Sequence, residues 1–110
     1  MRKLLVMERN ILIDKLIHWN DLSTSSKPEF LHQNATMLAD KILSCSQDIQ
    51  TAIFDWLENG TISVVTYEGI SQADLIDKAN MKPIAAYLTL DWIRRGGEAA
   101  ANEIRQKYSF

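Results

Sequence analysis

The chain has 110 residues, 46% apolar and 24% charged, the balance of a folded globular protein and enough for one domain spanning 1–110. Twelve basic side chains stand against fourteen acidic ones, six against eight in residues 1–60 and six against six in 61–110. With no concentrated basic face and no acidic tail, charge alone predicts no nucleic-acid partner.

The first residues, MRKLLVMERN, begin with Arg2 and Lys3 as a signal peptide does, but Glu8 and Arg9 interrupt the apolar run Leu4–Met7 too early. No run approaches the roughly 18 apolar residues that span a bilayer, so no membrane partner is expected. A single cysteine, Cys45, excludes an internal disulfide framework and fits a reducing compartment, so a cytoplasmic protein is expected. Four glycines and two prolines leave few places to turn, which favours a few long helices over many strands.

Residues 3–19 read as a helix, with Leu5, Leu12, Leu16 and Trp19 on one side, flanked by Leu4, Ile11 and Ile13. Leu4–Met7 could alternatively open as a strand. Residues 20–26 form a polar break, and Ser26-Lys27-Pro28-Glu29 matches a capping box for a second helix running to about Ser44. Leu31, Ala35, Leu38, Ala39, Ile42 and Cys45 mark its core face. Ser46 is the expected cap of a third helix, with Asp48 in its first turn and Ile49, Ala52, Ile53, Trp56 and Leu57 as its apolar stripe. Asn59-Gly60 ends it.

Residues 61–67 (TISVVTY) change character, because β-branched side chains are stiff in helices and fit a pleated strand. Glu68-Gly69 turns the chain after it. A strand here needs a partner, which could be the N-terminal segment, a second copy or another chain; otherwise it is an extended connection packed on helices. Ser71 and Asp74 cap a fourth helix over about 72–80, and a fifth runs from Pro83 to Arg95, closed by Gly96-Gly97. Residues 98–108 form a last helix, acidic early and basic late as the helix dipole favours, with Ala100, Ile104 and Tyr108 on its apolar side. The predicted fold is therefore mainly α, a compact bundle of five to six helices around helix 83–95, with at most one short β element near 61–67.

Phe54-Asp55-Trp56-Leu57-x-x-Gly60 recurs as Leu90-Asp91-Trp92-Ile93-x-x-Gly96, an echo that shared helix-end chemistry accounts for better than duplication. Asp91, set in an apolar run, has the makings of an acid or base if buried, but Arg95 four residues on offers a helix-surface ion pair, and no nucleophile is near. His18, His32 and Cys45 share no metal-binding spacing, and no phosphate loop or nucleophile elbow is present. No catalytic residue, metal or cofactor is expected.

Between the fourth and fifth helices, Gln72, Leu75, Ile76, Ala79, Met81 and Leu88 follow a spacing that resembles helix-turn-helix DNA-binding proteins over residues 71–95. Ile76 stands where that pattern often has a small residue, and Asn80 where it often has glycine. The resemblance implies a DNA-binding regulator whose contacts come from Lys82, Thr89, Arg94 and Arg95. Such a helix must offer polar side chains to base edges at its start, whereas Ile84-Ala85-Ala86-Tyr87-Leu88 offers one hydroxyl. The leading expectation is instead a non-enzymatic interaction or regulatory module acting through protein–protein contacts, with a second copy (a homodimer) or another protein as partner. Its interface candidates are Ile62, Val64, Tyr67, Tyr108 and Phe110, apolar groups beyond what a small helical core must bury.

Overall fold

The computed structural model describes residues 9–18 and 28–110, with side chains of the second stretch described from residue 33 onward. The readings that fall on Leu4–Met7, Trp19, the polar break 20–26, the Ser26 capping box, Leu31 and His32 lie outside the described residues. The chain is mainly helical, with a two-stranded antiparallel hairpin: α1 Arg9–Ile17, α2 Pro28–Leu43, α3 Gln47–Asn59, β1 Thr66–Tyr67, β2 Ile70–Ser71, α4 Gln72–Lys78 and α5 Pro83–Tyr108.

α1 packs chiefly on α2. Leu12, Ile13 and Leu16 are buried beside Ala35, Ala39 and Ile42, which recur every three or four residues on α2 and so form one face. Two surface ion pairs border α1: Arg9 grips Asp40 with Nε on Oδ1 at 2.8 Å and Nη2 on Oδ2 at 3.2 Å, and Lys15 meets Glu58 of α3 at 2.7 Å.

α3 begins where sequence chemistry places it. Ser46 is extended, and its hydroxyl accepts from the Ile49 N–H, satisfying a donor that has no partner inside the helix. Gly60 ends it at φ 73°, a conformation open to glycine without a Cβ penalty, and its N–H donates to the Trp56 carbonyl at 2.8 Å. Ile49, Ala52 and Ile53 enter the core, with Trp56 and Leu57 half-buried.

The strand partner of residues 61–67 is a segment other than the three that the sequence suggests. Tyr67 pairs with Ile70 and Thr66 with Ser71 across a two-residue turn, Glu68-Gly69. Both turn residues have positive φ, 52° and 79°, the requirement of the tight turn whose twist matches that of antiparallel strands. The partner is thus the segment that immediately follows in the chain. Residues 61–65 have no strand assignment, and the inward bonding of every second residue, Ser63, Val65 and Tyr67, makes them an extended lead into the hairpin.

Ser71 then caps α4 reciprocally with Asp74: each side chain serves the other's backbone N–H, at 3.1 Å in both directions. Asn80 makes the corner into α5 at φ 58°, and the N–H groups of Ala79 and Met81 both return to the Leu75 carbonyl. Pro83 opens α5, where its missing N–H costs nothing.

The expected stop at Gly96-Gly97 is corrected in part. Gly96 stays within the helix, where a Cβ would lie 2.7 Å from that of Ala100. Only Gly97 leaves helical geometry, at φ 67° and ψ −149°, and the chain re-enters a helix at once. α5 is therefore two limbs joined at one residue. Its first limb buries Ile84, Ala86, Tyr87, Leu90 and Ile93, its second Ala100, Ala101 and Ile104, and the helix as a whole packs against α3, α4 and the hairpin.

Candidate interaction surface

Three places bring polar or apolar groups together: the extended segment 61–67, the carboxylate of Asp91, and the corner between α4 and α5.

In an extended chain successive residues send their N–H and C=O to opposite edges. On one edge of 61–67 these groups are satisfied from within the chain. The Tyr87 hydroxyl donates to the Ser63 carbonyl at 2.8 Å and accepts from the Ser63 N–H at 3.0 Å, a single buried side chain standing in for a neighbouring strand. Burial pushes the Tyr87 phenol above its ordinary pKa; the Ser63 backbone opposes the shift and the charge of Asp55 adds to it. Two residues on, the Val65 N–H donates to Gln72 Oε1 at 2.8 Å and the Val65 carbonyl accepts from the Gln72 N–H at 3.1 Å. Gln72 is 1% exposed, so the first residue of α4 extends the ladder with its own amide.

The opposite edge is open among the described residues. Ile62, Val64 and Thr66 direct their backbone groups there, and no hydrogen bond among the described residues reaches the backbone of Ile62 or Val64. Their side chains are exposed as well, Val64 to 79% and Ile62 to 41%. A groove of about 390 Å³ separates the strand from α3. Consecutive residues 63–67 line it opposite Asp48, Thr51 and Ala52, so it follows the edge of the strand rather than one face. The other interface candidates lie elsewhere: Tyr67, Tyr108 and Phe110 are half-buried against the core. Phe110 is further held by its N–H on the Arg105 carbonyl and by Lys78 over its ring at 5.3 Å. The hairpin tip is fastened by Arg105, whose Nη2 donates to the Glu68 carbonyl.

Asp91 is 1% exposed, so its pair with Arg95 is not the helix-surface contact that spacing suggests. Oδ1 accepts from the Ser46 N–H at 3.2 Å and from Arg94 Nε at 3.1 Å, with Arg94 Nη2 at 3.0 Å. Oδ2 lies 3.0 Å from Arg95 Nε, an ion contact without hydrogen-bond alignment. The carboxylate therefore ties α5 to the backbone that starts α3, compensated by two guanidinium groups that remain partly solvated. Beside it, Cys45, Lys41, Ser44, Leu88 and Arg95 enclose a cleft of about 270 Å³ with Asp91. The Cys45 thiol donates to the Lys41 carbonyl, and its pKa is pushed up to about 12, chiefly by burial and then by the Asp91 charge. A thiol held protonated in this way is a packing group and not a nucleophile. Asp55, the counterpart of Asp91 in the sequence echo, is half-exposed and makes no such tie, so the two motifs share a pattern and not an environment.

Of the residues that the helix-turn-helix resemblance offers to DNA, Lys82, Arg94 and Arg95 are exposed and Thr89 is half-buried, its hydroxyl donating to the Ala85 carbonyl. Arg94 and Arg95 are both engaged by Asp91. Ile84 and Tyr87, at the start of the same helix, are 2% and 0% exposed, so that face cannot meet base edges; Leu88 is half-buried. His18 is exposed, with Nδ1 2.8 Å from the Asp14 carbonyl. No group of three or more His, Cys, Asp or Glu side chains among the described residues could hold a metal ion, and no described helix is long and apolar enough to cross a membrane. No family model matches the chain, and neither the curated proteins nor the solved structures contain a match to it.

Proposed function

We propose that the chain is a small non-enzymatic interaction module that works through protein–protein contacts at the open edge of residues 62–66. One observation carries this reading: an edge whose backbone groups at Ile62 and Val64 have no partner among the described residues is crowned by exposed β-branched side chains, Val64 at 79%. Monomeric proteins usually guard such edges with lysine, proline or a bulge, because unpaired edges recruit other chains. Residues 61–67 carry no charge and no proline. Pairing at the edge by self-association or with another protein is the activity that this geometry supports. Light scattering across a concentration series, alongside affinity capture, compares the native chain with Val64→Lys, which places a charge on the edge. Self-association or partner capture by the native chain, abolished in Val64→Lys, is the expected result. A strictly monomeric native chain that captures nothing defeats the reading.

The DNA-binding reading ranks below it. The Asn80 corner has the right form, but the burial of Ile84 and Tyr87 and the engagement of Arg94 and Arg95 by Asp91 weigh against it. Salt-dependent duplex binding that disappears in the Arg94→Ala/Arg95→Ala variant would reinstate it.

A further inference from the structure

We propose that the groove between α3 and the open edge receives an extended, positively charged segment of a partner protein, which adds to the edge as a strand; this rests on the interaction-module reading above. Two independent features select that occupant. The first is the backbone. Ile62, Val64 and Thr66 present outward donors and acceptors on every second residue, so only an extended chain can match them. The open run of five residues spans roughly 14–17 Å at the rise of an antiparallel strand, enough for one short segment.

The second feature is charge. Asp48 lines the groove, and Asp55 follows about two helical turns later on the same side of α3. Glu68 stands at the hairpin tip beyond Tyr67. Among the described residues none of these three carboxylates forms an ion pair, and no basic side chain lines the groove. A second copy would bring an uncharged strand and a second set of the same carboxylates, which supplies pairing but no complementarity. A segment with lysine or arginine flanking β-branched residues supplies both.

The test uses the full chain and three fluorescein-labelled nine-residue peptides with an alternating valine–threonine centre, flanked by lysine, glutamine or glutamate. Fluorescence anisotropy at low salt should give binding of the lysine-flanked peptide at least about tenfold tighter than the glutamate-flanked one, with the difference shrinking as salt screens the carboxylates. Asp48→Asn/Asp55→Asn should erase the preference while leaving residual binding. Val64→Pro should abolish binding altogether. The Val64 N–H makes no hydrogen bond among the described residues, so this substitution removes an outward donor without breaking a bond among them, and circular dichroism should show an unchanged helical signal. Equal binding of the three peptides overturns the proposal, as does insensitivity to Val64→Pro. If no peptide binds but the chain self-associates through a Val64-sensitive edge, the cationic partner is refuted and the interaction module survives. If neither occurs, both readings fall.

Discussion

Replacing Asp91 probes the tie between α3 and α5, and its cost can be worked out group by group. Asp91→Ala leaves the Ser46 N–H without its acceptor and removes the counter-charge of Arg94 and Arg95. Stranding a buried backbone donor costs about 1–3 kcal/mol. Breaking a buried ion pair costs about 3–5 kcal/mol when the remaining charge is also buried. Here the arginine side chains are 34% and 60% exposed, so water solvates them once the carboxylate is gone and the electrostatic part falls well below that range. The two contributions together give about 2–3 kcal/mol for Asp91→Ala. Asp91→Asn keeps an oxygen for Ser46 and loses only the charge, so about 1 kcal/mol is expected. In a domain of this length these correspond to a fall in Tm of roughly 8–12 °C and about 4 °C. Thermal and urea unfolding followed by circular dichroism at neutral pH measures both. The ordering is decisive: two variants of equal stability, each within about 0.5 kcal/mol of the native chain, would mean that the carboxylate does not join the helices.

Two further outcomes follow from neighbouring groups. Tyr87→Phe removes the hydroxyl that serves both the N–H and the carbonyl of Ser63, so a loss of about 1–3 kcal/mol is expected, with hydrogen exchange at Ser63 accelerated more than in α3; unchanged protection at Ser63 would contradict the assignment. For Cys45, a folded pKa of about 12 against an ordinary value of 9.0 leaves about a thousandfold less thiolate at pH 8, so alkylation of the native chain should be slowed to that order and restored in denaturant. The sign for stability is fixed by the same shift: the folded state holds its thiol proton between pH 9 and about 12 while the unfolded chain releases it, so stability is fully present below pH 9 and declines as pH rises through that window. Urea titrations at successive alkaline pH values should show a shallower decline in Cys45→Ala.

The helices were legible because their signals are local. Ser46, Gly60 and the Ser71–Asp74 pair each act within four residues, and all three occur as the sequence implies. The hairpin was not, because its second strand is two residues long and Ser71 serves it and the α4 cap together. Glu68 in the left-handed region also lacks the Asn-Gly or Asp-Gly signature of such turns. The reach of Asp91 was hidden for a different reason. Helical spacing exposes partners three or four residues away, and Ser46 lies 45 residues earlier in the chain. Gly96-Gly97 reads as a stop, yet only Gly97 departs from the helix, while close packing on Ala100 explains the glycine before it. As for the surface, composition pointed to residues 61–67 without indicating which edge was free. That was decided by Tyr87 and Gln72, two side chains that complete the other edge from a distance.

The completed edge also limits how far assembly can proceed. Fibrils grow when each added strand presents a fresh edge on both sides of the stack. Here one side is sealed by Tyr87 and Gln72, so a strand added at the other edge, as proposed, would end the pairing there and pass none through the chain to a third. On that proposal the β-branched segment would not polymerise along itself while the chain remains folded. Loss of the Tyr87 hydroxyl would remove part of that seal, turning a chain terminator into a potential link in a longer array.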